Sequence, residues 1–139
     1  MPSKQKIIID GYNLMHADPE IKNLIEQDLE KARGELIDLL EKYLRTRQVQ
    51  MTLVFDGRGR MMDAETRRLG VFQIVFSPSY QSADEFIITS VREAANPREY
   101  MVVTSDNADI GRAVRAVGAS VVPSDEFARR LRKRGSAAA

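Results

Sequence analysis

The feature that most restricts this chain is a unit that recurs three times: a short apolar run that closes on aspartate. The runs are Lys6-Ile7-Ile8-Ile9-Asp10, Met51-Thr52-Leu53-Val54-Phe55-Asp56, and Tyr100 to Ser105 followed by Asp106. Each is too short for a packed helix and rich in β-branched or aromatic residues, so each reads as a buried strand. Val71 to Phe76, closed by Ser77-Pro78, and the short Ser120-Val121-Val122 add two more. The first two runs pass into Asp-Gly, read as a strand followed by a turn.

The intervening segments carry helical spacing. Ile21, Leu24, Ile25, Leu29, Ala32, Leu36, Leu40, Tyr43 and Leu44 repeat at three and four residues between Ile21 and Arg47. Asp28 is placed to cap a restart, which would divide that segment into two helices. Ser82-Ala83-Asp84-Glu85 has the form of a capping box, with Ser82 as cap and Glu85 bonding back. That helix runs to about Ala95, where Asn96-Pro97 stops it. Another spans Ala108 to Val117 with Gly118 at its end, and Ser124 or Asp125 caps a last one. Gly57 to Gly70 is polar and arginine-rich, with a short helix expected around Ala64.

Strands alternating with helices imply an α/β fold, a doubly wound parallel sheet of about five strands with helices on both faces. Its functional crevice lies beyond the carboxyl ends of the strands. Asp10, Asp56 and Asp106 stand at such ends. Asp84 lies in the first turn of a helix that follows a strand. All four therefore converge on one crevice, although they are far apart in sequence.

The 139 residues suit a single domain. It is expected over residues 1–134, with 135–139 a disordered tail or cloning scar. No window approaches the roughly 18 apolar residues of a membrane span. No apolar stretch with a small-residue cleavage site follows the start, so no signal peptide is read. Cysteine is absent, which removes disulfides and thiolate metal ligands and fits a cytoplasmic protein. Net charge is +1, but the positive charge is clustered. One group is Arg58, Arg60, Arg67 and Arg68; the other is Arg129, Arg130, Arg132, Lys133 and Arg134. Such segments beside an acidic site would let a near-neutral chain hold a polyanion; they read equally well as solvated helix faces.

Carboxylates crowded into one crevice repel, and without compensation at least one takes up a proton. Mg²⁺ or Mn²⁺ supplies that compensation through oxygen ligands, and such ions activate water and stabilise a phosphodiester in displacement. The lone His16 cannot build a histidine-rich zinc site, nor work with a second histidine in metal-free RNA cleavage. Each acid also has an ordinary structural explanation. Asp10-Gly11 and Asp56-Gly57 are common turn chemistry, Asp84 suits a helix N-terminus, and Asp106, Asn107 and Asp109 suit caps.

Four stretches, in order, resemble the NYN family of PIN-like nucleases, in particular its bacterial YacP-like branch. They are IIIDGYNLMH, LVFDG, GVFQIVFSPSYQSADEFI, and VVTSDN followed by GASVVPSDEF. The resemblance covers the chain up to about Leu131. It implies a PIN-like three-layer fold and a divalent-metal-dependent endoribonuclease that leaves 5′-phosphate and 3′-hydroxyl ends. It also implies a link to ribosomes or translated messenger RNA. Position by position, Asp10, Asp84 and Asp106 match the metal-binding acids, and Asn13 matches the polar residue that steadies the site. Asp56 and Asp109 are supporting ligands. Arg58, Arg60, Arg67 and Arg68, on a flexible segment after the second strand, would grip single-stranded RNA. Ser105 would orient ligand or phosphate, and Tyr12 or Tyr80 would stack on a base.

Two rivals stand beside this reading. A non-catalytic RNA- or ribosome-binding module on the same fold would keep the arginines without needing all three acids. Another α/β phosphoryl-transfer enzyme would carry other marks. A phosphatase of the haloacid dehalogenase type needs Asp-x-Asp where this chain has Asp10-Gly11-Tyr12. A receiver domain needs paired acids before or at strand one and a lysine near the end of the last strand; here Lys4 and Lys6 precede strand one, Val122-Pro123 closes strand five without lysine, and no Walker-type glycine loop is present.

Overall fold

The computed structural model describes residues 5–57 and 65–137, with side chains described over 5–57 and 70–133. The chain begins with strand β1 (Lys6–Asp10), then helices α1 (Gly11–Ala17), α2 (Pro19–Ile25) and α3 (Leu29–Leu44). Strands β2 (Gln50–Phe55), β3 (Glu65–Leu69) and β4 (Phe72–Phe76) follow, then α4 (Ala83–Arg92). A single 3₁₀ turn leads to β5 (Tyr100–Val103). A π-helical turn (Asn107–Gly111) then runs into α5 (Arg112–Arg115), followed by β6 (Ser120–Val122) and α6 (Ser124–Ala137).

The strands form one sheet in the order β3-β4-β2-β1-β5-β6. Five are parallel, as expected; β3 alone runs antiparallel, against β4. This sixth strand was not anticipated, because Glu65-Thr66-Arg67-Arg68-Leu69 has no apolar run. An edge strand needs none, and charge on an edge opposes pairing with another chain. Gly70, at φ +67°, makes the reversal into β4. The short helix expected around Ala64 lies outside the described residues. At the other end α6 continues to Ala137, so residues 135–137, assigned to a disordered tail, are helical.

Alternation along the inner strands sorts side chains into two cores. Ile7, Ile9, Leu53, Phe55 and Val103 pack beneath α1, α2, α3 and α6, against residues such as Leu14, Ile21, Leu36 and Phe127. Ile8, Val54 and Val102 face the other way, onto Ala83, Ile87 and Val91 of α4 and Ile110 and Val114 of the next helix. The division at Asp28 is present: its carboxylate caps α3 by accepting from the Lys31 amide at 3.1 Å. Leu36 is 1% exposed, so Leu36→Ala would cost about 2–5 kcal/mol.

One expectation changes at the first strand end. Gly11 does not form a turn; α1 begins on it directly. A Cβ there would lie 2.6 Å from the Phe55 ring and 2.8 Å from the Val54 carbonyl oxygen. The glycine is needed for close approach of α1 to β2, not for turn chemistry.

From β1 the chain leaves toward β2 on one side, and from β5 it leaves toward β6 on the other. The order therefore reverses between β1 and β5, and a crevice opens beyond their carboxyl ends.

Candidate active site

Asp10 is the last residue of β1 and is 8% exposed. The β1–β5 register pairs Ile9 with Val103, which brings Asp10 level with Thr104. The fully buried Thr104 hydroxyl donates to Asp10 Oδ2 at 3.4 Å and accepts from the Asp106 amide at 3.1 Å. One side chain thus links the two strand ends that border the switch point.

A second set of bonds closes the crevice floor. Asn13, in the first turn of α1, accepts at Oδ1 from the Ser105 amide at 2.9 Å and also from the Ser124 hydroxyl. The Ser124 amide donates to Ser105 Oγ at 3.1 Å. These bonds tie α1, the loop after β5 and the start of α6 together. Ser124 is wholly buried, so its polar atoms require these partners.

Asp84 is the second residue of α4, and Ser82 caps that helix by accepting from the Glu85 amide at 3.1 Å. The return bond of the capping box differs from expectation. Glu85 Oε1 accepts from the Ser82 hydroxyl at 3.3 Å instead of reaching the Ser82 amide. Asp106 caps the π turn, with Oδ1 accepting from the Asp109 amide at 3.0 Å. The Gly111 amide returns to the Asp106 carbonyl at 2.9 Å, an i→i+5 bond that widens this turn. Asp106 is therefore a cap and a crevice acid at once.

The electrostatics join the three acids. The Asp10 carboxyl is pushed up to about 6, first by burial and then by the charge of Asp84, with Asp106 adding to it. Hydrogen bonds from the Asn13 amide and the Thr104 hydroxyl offset this only in part. Among the described residues no cation contacts Asp10. The oxygen donors suit a hard cation such as Mg²⁺ or Mn²⁺. The spacing is looser than a closed ligand set: among the described residues, no three acids or histidines come together closely enough to hold an ion directly.

Asp56 follows β2, and Asp109 is exposed; neither is among the groups that shift Asp10. The Gly57 amide donates to Ser77 Oγ at 2.8 Å, and a Cβ on Gly57 would meet the Ser77 carbonyl oxygen at 1.8 Å. Asp56-Gly57 is thus a close crossing between two strand ends. Tyr12 packs at a tilt against Phe55 with ring centroids 5.0 Å apart, and its hydroxyl accepts from Arg33 Nη1 at 3.0 Å. That is a packed ring, not one displayed for a base. Tyr80 is displayed, at 84% exposed, on a loop braced by the Ser77 hydroxyl donating to the Gln81 carbonyl at 2.8 Å.

Arg58 and Arg60 lie outside the described residues. Arg67 and Arg68 belong to β3, not to a flexible segment, at positions opposite Ile74 and Gln73. Because β3 runs antiparallel, it carries the chain away from the carboxyl edge. Arg68 stands at the level of the second residue of β4, roughly 10 Å from that edge at a strand rise of about 3.3 Å per residue. In α6, Arg129 pairs with Asp125 and Arg130 with Glu126, both one turn away. Arg132 grips Asp18 through two bonds of 3.0 and 2.7 Å and reaches Glu20 at 3.1 Å. These three arginines spend their charge within the fold.

The sequence alone points to no role for Thr104 or Arg33, and to a cap for Ser124. The one available signal for Thr104 was its level, one residue past a strand and beside Asp10. Arg33 carried none, because helical spacing does not say which polar residue overhangs a sheet edge.

An open sheet whose switch point is bordered by a buried aspartate and further acids defines a doubly wound α/β domain with an acidic crevice. The chain belongs to the YacP-like NYN domain family, whose model matches residues 7–138, and that family is nuclease-like. It is similar to YacP of Bacillus subtilis (strain 168), with 28% identity over 104 residues, covering 72% of this chain and 59% of the relative. The chain therefore spans less than two thirds of that relative's length. The crystal structure of Rae1 (YacP) from Bacillus subtilis superposes with a TM-score of 0.72 at 24% identity, over 93% of this chain and 74% of that one. A single-site mutant of Rae1 gives 0.71 over the same 93%. These two likenesses show the shared fold. No helix among the described residues is long and apolar enough to cross a membrane.

Proposed function

We propose that this domain is a divalent-metal-dependent endoribonuclease that hydrolyses RNA phosphodiesters to 5′-phosphate and 3′-hydroxyl ends. Single-stranded messenger RNA in the cytoplasm, engaged with the ribosome, is the proposed substrate. One observation carries the reading: an aspartate at the switch point has its carboxyl pushed up to about 6 by burial first and then by Asp84 and Asp106, with no cation among the described residues beside it. A fold keeps such an arrangement at a cost in stability, and perturbed carboxylates in a crevice mark functional sites.

Asp10, Asp84 and Asp106 would hold Mg²⁺ or Mn²⁺ partly through the waters such ions retain, with Asp56 and Asp109 in supporting places. The bound ion supplies charge compensation, a more acidic water and stabilisation of the phosphate in displacement. The chain's own residues do the rest. Thr104 fixes the Asp10 carboxylate and ties it to the Asp106 backbone. Asn13, Ser105 and Ser124 hold the floor rigid, so that the acids keep their relative positions. Asn13 Oδ1 is occupied by two donors, which makes Asn13 a positioning residue. Tyr80, on its braced loop, offers a face on which a base stacks.

The test is cleavage of an unstructured RNA with Mn²⁺ or Mg²⁺, with and without chelator, followed by end mapping. Cleavage that needs the ion and leaves 5′-phosphate supports the reading; chelator-resistant cleavage with 2′,3′-cyclic phosphate ends contradicts it. The loose spacing of the acids favours one alternative, a non-catalytic RNA- or ribosome-binding module. Calorimetric titration with Mn²⁺ separates the two, because the module has no specific ion site and the nuclease binds ion through Asp10.

A further inference from the structure

Arg33, on α3, lies against the carboxyl edge of the sheet. Its guanidinium lies 5.7 Å from the Phe76 ring centroid and donates to the Tyr12 hydroxyl at 3.0 Å. Both partners are neutral. Among the described residues no carboxylate pairs with it, whereas Arg129, Arg130 and Arg132 of α6 each hold one. Phe76 ends β4, and Tyr12 follows Asp10 by two residues, so Arg33 is held at the carboxyl edge on the β4 side of the acids. From β1 to β4 is two strand spacings, about 10 Å. The Tyr12 and Phe76 contacts fix the guanidinium plane while using one of its five N–H donors.

We infer that Arg33 is a phosphate-binding residue for the RNA strand, gripping a backbone phosphate that neighbours the one at the acids. The strand then leaves the crevice across the ends of β2 and β4, toward Tyr80, and not toward α6. A fixed, unpaired guanidinium with free donors suits a phosphate oxygen, and Tyr80, exposed on the loop that follows β4, offers a stacking face on the same side. This inference rests on the proposed action on RNA.

The experiment is binding of a fluorescent oligouridylate by the full chain in chelator, read by anisotropy over a range of salt. Arg33→Gln, which keeps a donor for Tyr12, and Arg33→Met are compared with wild type and with Arg33→Lys. Loss of one phosphate contact lowers the slope of log K against log salt by about 0.7 for a single strand. Both neutral variants should show that drop and weaken binding several-fold, while Arg33→Lys keeps the slope. In cleavage assays KM should rise with kcat retained. Wild type that binds with an unchanged slope in folded Arg33→Gln overturns the inference alone. Wild type that binds no RNA at any salt overturns the proposed function, and the inference with it.

Discussion

Two aspartates of this fold are almost equally hidden and have opposite fates. Asp18 is 4% exposed and Asp10 is 8% exposed. Burial pushes both carboxyls up. At Asp18 the two bonds from Arg132 and the Ile21 amide outweigh burial and bring the carboxyl below its ordinary value. At Asp10 the neighbours are Asp84 and Asp106, and the carboxyl stays at about 6. Asp18 joins α1, α2 and α6 and contributes to stability. Asp10 costs stability, which is the behaviour expected of the proposed cation site without its ion. Burial of a carboxylate alone therefore says nothing about function; the sign of its surroundings does.

The largest expected effect is on chemistry. Asp84→Asn should lower RNA cleavage by about a hundredfold or more, on the order of 3 kcal/mol of barrier. It should also let the Asp10 carboxyl fall toward its ordinary value, followed by NMR titration of the side chain. An Asp10 titration that does not move would break the link between the two acids.

Asp18→Asn should do the reverse. Arg132 loses its charged partner and stability drops by about 1–3 kcal/mol, discounted because the guanidinium is partly exposed. Cleavage per folded molecule should hold. Chemical denaturation and a specific-activity assay check both halves.

The two residues should also separate by pH. Asp18 has a depressed carboxyl, so its stabilisation is present above the unfolded value of about 3.9 and is lost as pH falls below it. Asp10 binds a proton more tightly folded than unfolded between about 4 and about 6. Stability should therefore decline as pH rises through that range in the absence of divalent ion. In Asp10→Asn that decline should vanish, and in Asp18→Asn the acid-side loss should shrink; thermal melts across pH 3 to 7 would read both.

The smallest effect belongs to the Ser124–Asn13 bond of the crevice floor. Ser124→Ala removes one donor from Asn13 and should cost about 1 kcal/mol with a several-fold loss of kcat at unchanged KM. A change in KM alone would reassign Ser124 to substrate contact.

Much of this comparison was legible in the chain. Apolar runs that close on Asp10 and Asp106 give strands whose ends must meet if the sheet is parallel, and Ser82 with Glu85 fixes where α4 starts. The edge strand β3 was not legible, since a strand with one neighbour need not be apolar. Nor was the start of α1, where Gly11 looks like a turn until Phe55 lies against it. The pairing of Asp18 with Arg132 spans most of the chain and has no local signature. The basic segment of α6 reads equally as a polyanion grip or a solvated face, because one-dimensional charge cannot show that Arg129, Arg130 and Arg132 pair with Asp125, Glu126 and Asp18. Arg33, by contrast, was hidden among helical charges and acquires meaning only from the strand ends beside it.

The most direct test of the central claim uses Asp10→Asn and measures two things on one preparation, thermal stability without divalent ion at pH 7 and RNA cleavage with Mn²⁺. Relief of a carboxyl raised to about 6 should stabilise the fold by on the order of 1–3 kcal/mol, seen as a melt several degrees higher. Cleavage should fall by about a hundredfold or more. A variant that melts at or below wild type and cuts RNA as well would show that Asp10 is an ordinary strand-end aspartate, and the account would fail.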